Sequence, residues 1–282
     1  MNLLLKRHNG AFIDRITVPD DASVEDLKSI FCEKSNGPRL VGNKLTDCGV
    51  KDDTSLYFKD LGVQISWRLV FFIEYLGPLI ITPLLYYFPS VFYSQESKGR
   101  IFTQQLAFVM LMFHFIKREF ETLFLHKFSK NTMPIMNLFK NCFHYWILCG
   151  LGIGYYLFHP LYTPIMFLNS KYEKMVLFVL FFVFQFMMFM THLTLRRLRP
   201  AGTTERGIPM NWGFQFVSCA NYLWELMVWI CFALFVNTVT AYFFVVVVTF
   251  ILCQWAKKRH NRYLVEFPNY SKTRMALIPF IY

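Results

Sequence analysis

Four polar side chains recur at helical spacing in an otherwise apolar stretch. Within Val217–Trp229 (VSCANYLWELMVW), Ser218, Asn221, Tyr222 and Glu225 fall at i, i+3, i+4 and i+7. On a helix that spacing makes one stripe. A core helix buries the opposite pattern. In a chain built for lipid, an inward stripe with a carboxylate and a phenol costs several kcal/mol unless those groups are used. The chemistry on offer is acid–base. A phenol, with a reference pKa of about 10, is protonated near neutral pH and can act as a donor. The amide and the carboxylate can orient its partners.

The elements that must hold this stripe are membrane helices. The chain has 282 residues, is 55% hydrophobic with 33 Phe, and has a mean hydropathy of +0.35. Soluble domains run at about 45–50% apolar, and here the excess lies in runs near membrane length. About six spans are expected, over 67–93, 101–116, 143–160, 175–193, 214–235 and 237–255, with Gly77, Pro78 and Pro83 kinking the first. A seventh, re-entrant segment is a candidate over 120–139. Met1–Gly10 is too short in apolar residues for a cleavable signal peptide. Lys/Arg crowd one set of loops (Lys117, Arg118, Lys127, Lys130, Lys140; Arg196, Arg197, Arg199; Lys257 to Arg274) and are sparse on the other (Lys98, Arg100, Lys171, Lys174). The rich side is expected to be cytosolic, with both termini there. The sequon Asn269-Tyr270-Ser271 then lies on the wrong side for glycosylation.

The formal net charge is +11. The basic residues flank apolar spans rather than forming one stripe, which argues against nucleic acid as a partner. The seven cysteines are scattered with no CxxC pair, so free thiols are expected, without a disulfide framework or zinc site. His114, His126, His144 and His159 show no ligand spacing, and no metal is expected. Gly150-Leu-Gly-Ile-Gly154 has the wrong spacing for a dinucleotide fingerprint and sits inside a span, so it reads as helix packing.

Residues 1–62 have a different character from 63–282. Asn2–His8 and Ala11–Val18 read as strands joined at Asn9-Gly10, Ser23 caps a helix with Asp26 three residues on, and Ser55–Phe58 can close a sheet. Val24, Leu27, Ile30 and Phe31 would form that helix's apolar face. This order resembles a ubiquitin-like β-grasp domain, here a cytosolic one, followed by an all-α polytopic membrane domain of about six to seven transmembrane helices.

Four groups converge on the basic membrane face. They are Arg196-Arg197-Leu198-Arg199 with His192 one turn earlier, the stripe itself, Arg259-His260-Asn261-Arg262-Tyr263, and Arg274. Guanidinium forks suit phosphate, so a phosphorylated cofactor and ordinary interfacial anchoring are both open readings. Glu119 and Glu121, beside Lys117 and Arg118, read as an interfacial ion-pair patch that could instead reach the phenol. Glu74 is an intramembrane carboxylate expected to pair with a neighbouring helix.

VSCANYLWELMVW followed by RHNRYLVEFPNYSKTRMALIPFIY resembles the C-terminal signature of the steroid 5α-reductase family. The stretch Glu121–Trp146, the Leu56–Trp67 junction and LRRLRPAG (Leu195–Gly202) resemble its trans-2-enoyl-CoA reductase branch. The resemblance implies NADPH as hydride donor and a very-long-chain trans-2-enoyl-CoA as acceptor. That reaction is the last reduction of fatty-acid elongation, at the endoplasmic reticulum membrane, and it serves sphingolipid synthesis too. Other elongation enzymes are implied as partners. By resemblance Tyr222 is catalytic, with Glu225 supporting it. Asn221, Arg196, Arg199, His260, Tyr263 and Arg274 line the cofactor. The helix before the Arg-rich loop departs from the family pattern over Met188 to His192. A steroid or polyprenol reductase, and an idle scaffold with a recruiting N-terminal domain, are the alternatives.

Overall fold

The computed structural model describes residues 1–7, 10–23, 26–27, 51–53, 55–58, 62–95, 99–128, 131–164, 170–199, 207–271 and 273–282. The chain divides into two units, Met1–Val63 and Gln64–Tyr282.

In the first unit, β1 (Asn2–Arg7) pairs antiparallel with β2 (Phe12–Thr17) and parallel with β3 (Ser55–Phe58), in the order β2-β1-β3. Strand alternation turns Leu3, Leu5, Ile16 and Val18 to one face, where they bury with Ala22 and Leu27. Ser23 and Asp26 exchange capping bonds. The Asp26 amide donates to Ser23 Oγ at 3.1 Å, and the Ser23 amide donates to Asp26 Oδ2 at 2.7 Å. Asn9 of the expected hairpin turn, and Val24, Ile30 and Phe31 of the expected helix face, lie outside the described residues.

The second unit is helical. A short ribbon opens it, with β4 (Gln64–Ser66) antiparallel to β5 (Thr132–Pro134). Then come α1 (Trp67–Tyr87) and α2 (Phe102–Phe120), and α3 (Met136–Cys142), which runs on as a π-helix over Phe143–Ile153. The long helices α4 (Lys171–Arg197), α5 (Ala220–Val236) and α6 (Val239–Glu266) complete it. Local chemistry sets the ends. Phe88 precedes Pro89, which disfavours further helix and stops α1. A Ser170–Glu173 capping box starts α4. Asn237, left-handed at φ 54°, ends α5, and the Thr238 hydroxyl caps α6 one residue later. That two-residue link makes α5 and α6 neighbours.

Among the described residues three helices, α1, α4 and α6, are long and apolar enough to cross a membrane, and α5 is apolar but shorter. The unit is a helical membrane domain. The other expected spans at 101–116, 143–160 and 214–235 fall on α2, on the π-helical run and on α5. Three boundaries differ from expectation. The stretch 120–139 is not one helix: a π-turn over Glu121–Leu125 leads to β5 and then to α3. The helix over 214–235 starts only at Ala220, because Val217 bridges Met275 and the Ser218 amide donates to the Met275 carbonyl at 2.8 Å. Ser218 therefore stands before the helix, not on it. Finally, α6 runs past 255 to Glu266. Its 28 residues span about 42 Å against a hydrocarbon core of about 30 Å. The surplus is enough to bring the stretch from Arg259 onward to the edge of an apolar layer.

Gly77 lets α1 pack against the ring of Trp146, whose Nε1 donates to the Ile73 carbonyl at 3.0 Å. A Cβ at 77 would stand 2.0 Å from that ring. Gly77→Ala should therefore displace Trp146 and cost about 1–3 kcal/mol, read as a lower unfolding temperature of the purified protein in detergent.

Candidate functional site

Asn221 and Tyr222 occupy the first turn of α5, and α6 brings Arg259 across to both. Arg259 Nη2 donates to Tyr222 Oη at 2.9 Å, Nη1 donates to Asn221 Oδ1 at 3.3 Å, and the guanidinium lies 4.8 Å from the phenol ring centroid. Trp255, one turn back on α6, covers the phenol at 6.1 Å. Leu252, Ala256 and Tyr263 are buried, and with Arg259 they stand at i, i+4, i+11 and i+7, one face of α6. Arg259 belonged to a flagged basic run but was not among the expected site residues. That spacing along α6 is the signal that could have singled it out.

A second network joins Ser218, His260 and the C-terminal segment. Tyr270 Oη donates to Ser218 Oγ at 2.7 Å, and Ser218 Oγ lies 2.7 Å from His260 Nδ1. The serine hydroxyl, with one donor and two acceptor sites, can join the phenol to the imidazole. Tyr263 packs its ring 5.4 Å from Tyr270. The Arg274 guanidinium stacks 5.2 Å from the same ring, donating to the Pro209 carbonyl at 3.0 Å and meeting Met210 Sδ at 2.7 Å. Arg274 is only 8% exposed. A thioether is a weak acceptor, so this buried cation has room for a better one. The structure thus gathers Asn221, Tyr222, His260, Tyr263 and Arg274 around the junction of α5, α6 and the C-terminal segment.

Arg196 and Arg199 belong to a different group. Arg196 donates to the Phe124 carbonyl and Arg199 to the Lys127 carbonyl, while Lys127 Nζ donates back to the Arg199 carbonyl at 2.8 Å. Both arginines are clamped to the segment that follows α2.

Glu121, fully buried, is the hub of that segment. Lys117 Nζ lies 2.9 Å from Oε1; Arg118 Nη1 and His192 Nδ1 lie 3.1 and 3.0 Å from Oε2. Burial alone would raise this carboxyl, but His192, Lys117 and Arg118 outweigh it and hold Glu121 well below the usual carboxylate range. Burial, with positive neighbours, pushes His126 down to about 2, so it stays neutral. The ligand atoms of Glu121, His126 and His192 lie within 4.8 Å of one another, a spacing open to a metal ion. Lys117 and Arg118 already engage the carboxylate, however, and a divalent ion would have to displace them. The cluster is better read as a buried ion-pair network.

Arg118 also donates to Tyr75 Oη at 2.6 Å, its guanidinium 4.9 Å from that ring. Glu225, one turn after Tyr222 on α5, is buried at 8% exposed. Glu74 Oε2 accepts from Asn141 Nδ2 at 2.7 Å, a helix-to-helix pairing. Glu119 is buried, and among the described residues its carboxylate has no hydrogen-bond partner.

The family model of 3-oxo-5-alpha-steroid 4-dehydrogenase matches residues 131–282, which include α5, α6 and the C-terminal network. The chain belongs to this family. Its members are oxidoreductases, consistent with a nicotinamide cofactor. The chain is 44% identical to the very-long-chain enoyl-CoA reductase of Dictyostelium discoideum, over 81% of this chain and 75% of that protein. It is 39% identical to the probable very-long-chain enoyl-CoA reductase of Caenorhabditis elegans, over 91% and 85%. It is 32% identical to the human trans-2,3-enoyl-CoA reductase-like protein, over 98% and 81%.

Because Glu121 balances three buried partners, Glu121→Gln should leave Lys117 and Arg118 uncompensated. A loss of about 3–5 kcal/mol is expected, measured as the unfolding midpoint against the parent protein in the same detergent.

Proposed function

We propose that this chain reduces the trans-2 double bond of a very-long-chain enoyl-CoA with NADPH, the closing step of a fatty-acid elongation cycle. The observation that carries the reading is the Arg259-held phenol of Tyr222 beside Asn221, in a chain whose relatives are named enoyl-CoA reductases.

The residues fit the cofactor. Arg274 is buried, among the described residues no carboxylate pairs with it, and its second acceptor is a thioether, a suitable place for a phosphate oxygen. His260 and Tyr263 border it, while Arg196 and Arg199 extend the cationic surface from the α4 end. Asn221 Oδ1 accepts from Arg259, so its NH₂ is left to donate to a carboxamide. NADPH, when bound, supplies the hydride for the β-carbon.

The chain's own part is the proton. Arg259 donates to the Tyr222 oxygen, so the phenol hydrogen is not used in that bond and can point at the substrate. Tyr222 gives this proton to the α-carbon side of the thioester. The adjacent guanidinium stabilises the negative charge left on the phenol oxygen until solvent returns a proton. Glu225 sets the local field between Tyr222 and Arg118.

The reading extends to the rest of the chain. The hairpin with a parallel third strand supports a ubiquitin-like β-grasp fold for residues 1–62, a cytosolic module for other elongation enzymes. The helices over all six expected spans and the loop charges support six crossings with both termini in the cytosol, in the endoplasmic reticulum membrane.

The deciding measurement is NADPH oxidation by the purified chain with a trans-2-enoyl-CoA and, separately, with a 3-oxo-Δ4 steroid. Turnover of the thioester is expected; turnover of the steroid alone would replace the substrate, and turnover of neither would remove the enzyme reading. Tyr222→Phe should lower kcat about 10²–10⁴-fold while NADPH titration by fluorescence stays at the parent affinity. Arg274→Ala should show the reverse pattern: weaker NADPH binding, with the loss much smaller for NADH.

A further inference from the structure

The far end of the helical unit holds a site of another kind. Lys171 and Lys174 lie in the first turn of α4, about 37 Å along the helix from Arg196. They face the first turn of α2 across a cavity of about 310 Å³ lined by Ile101, Phe102, Thr103, Lys171 and Lys174. That volume is at the small end of ligand pockets. It suits a headgroup rather than a dinucleotide.

The electrostatics of this pocket are one-sided. A helix N-terminus repels cations, yet two lysines stand in the first turn of one helix and beside the first turn of another. Lys174 is only 2% exposed. Buried charges are normally paired, but among the described residues no carboxylate lies within ion-pair distance of either lysine. The nearby Glu173 is turned back to the amide and hydroxyl of Ser170, at 2.9 and 2.8 Å. Arg100 is engaged by the carbonyls of Leu85, Tyr86 and Phe158. Lys174 uses one donor on the Phe235 carbonyl at 2.6 Å, near the end of α5, and an ammonium has two more. Lysines, the Thr103 hydroxyl and first-turn amides of α2 together make an anion-binding set.

The surroundings identify the anion. Ile101 and Phe102 of the cavity wall are exposed apolar side chains, and Met175 and Val176, exposed on α4, follow Lys174 on a helix of membrane length. We propose that this pocket holds the phosphate of an anionic phospholipid, with an acyl chain lying along the exposed face of α4.

The test uses the full chain in detergent and follows thermal protection on titration with phosphatidic acid, phosphatidylcholine or inorganic phosphate. Phosphatidic acid is expected to protect at the lowest concentration. Lys171→Gln, at the rim, combined with Thr103→Val, in the wall, should raise its half-maximal concentration about fivefold or more, with NADPH binding unchanged. Arg68→Gln, an exposed cation outside the pocket, should keep the parent value. An unchanged half-maximal concentration in the double variant overturns the proposal, as does equal protection by inorganic phosphate or phosphatidylcholine. Lys174→Met should behave like the double variant if it folds; the double variant decides the matter if it does not.

Discussion

Arg259 carries a fixed positive charge to the edge of the apolar layer, and the arrangement around Tyr222 depends on it. A phenol and an amide on an apolar helix are expensive to bury alone. One guanidinium fork answers both, bonding Tyr222 Oη and Asn221 Oδ1 while stacking on the phenol ring. The fork also fixes which atoms remain available: the phenol hydrogen and the amide NH₂ take no part in the bonds to Arg259. The long α6 makes this possible, because it continues beyond the hydrocarbon with Arg259 already turned inward.

The same solution recurs around Tyr75. Arg118 grips Tyr75 as Arg259 grips Tyr222, and Glu121 pairs with Arg118 and Lys117, with His192 beside them. In both places a guanidinium answers a buried phenol, and around Arg118 a buried carboxylate balances the charge. Arg196 and Arg199 brace that cluster from outside through backbone carbonyls of the segment after α2.

What could be read from the sequence was what repeats along one helix. The stripe Asn221, Tyr222 and Glu225, the lengths of the apolar runs and the capping residue Ser23 all follow from local spacing. What could not be read was pairing between elements. Nothing in the spacing of residues 117–121 points to His192, and nothing near Tyr222 points to Arg259, because those contacts are made by packing. Ser218 shows the limit from the other direction. Its spacing fits the helix, yet a backbone bridge to Met275 holds it outside. The stretch 120–139 is broken for a related reason: Pro134 and its neighbours pair with Gln64–Ser66 instead of continuing a helix.

That backbone bridge has a bearing on how the protein matures. The start of α5 is set by amides of Ser218 and Cys219 bonded to the carbonyls of Met275 and Ala276, and Tyr270 reaches Ser218 across 52 positions of chain. Helices can enter the bilayer one after another as they are made, each satisfying its own backbone. The pocket cannot form in that sequential way. It closes only when a distant stretch of polypeptide folds back, so insertion and competence are separate events in the life of the molecule.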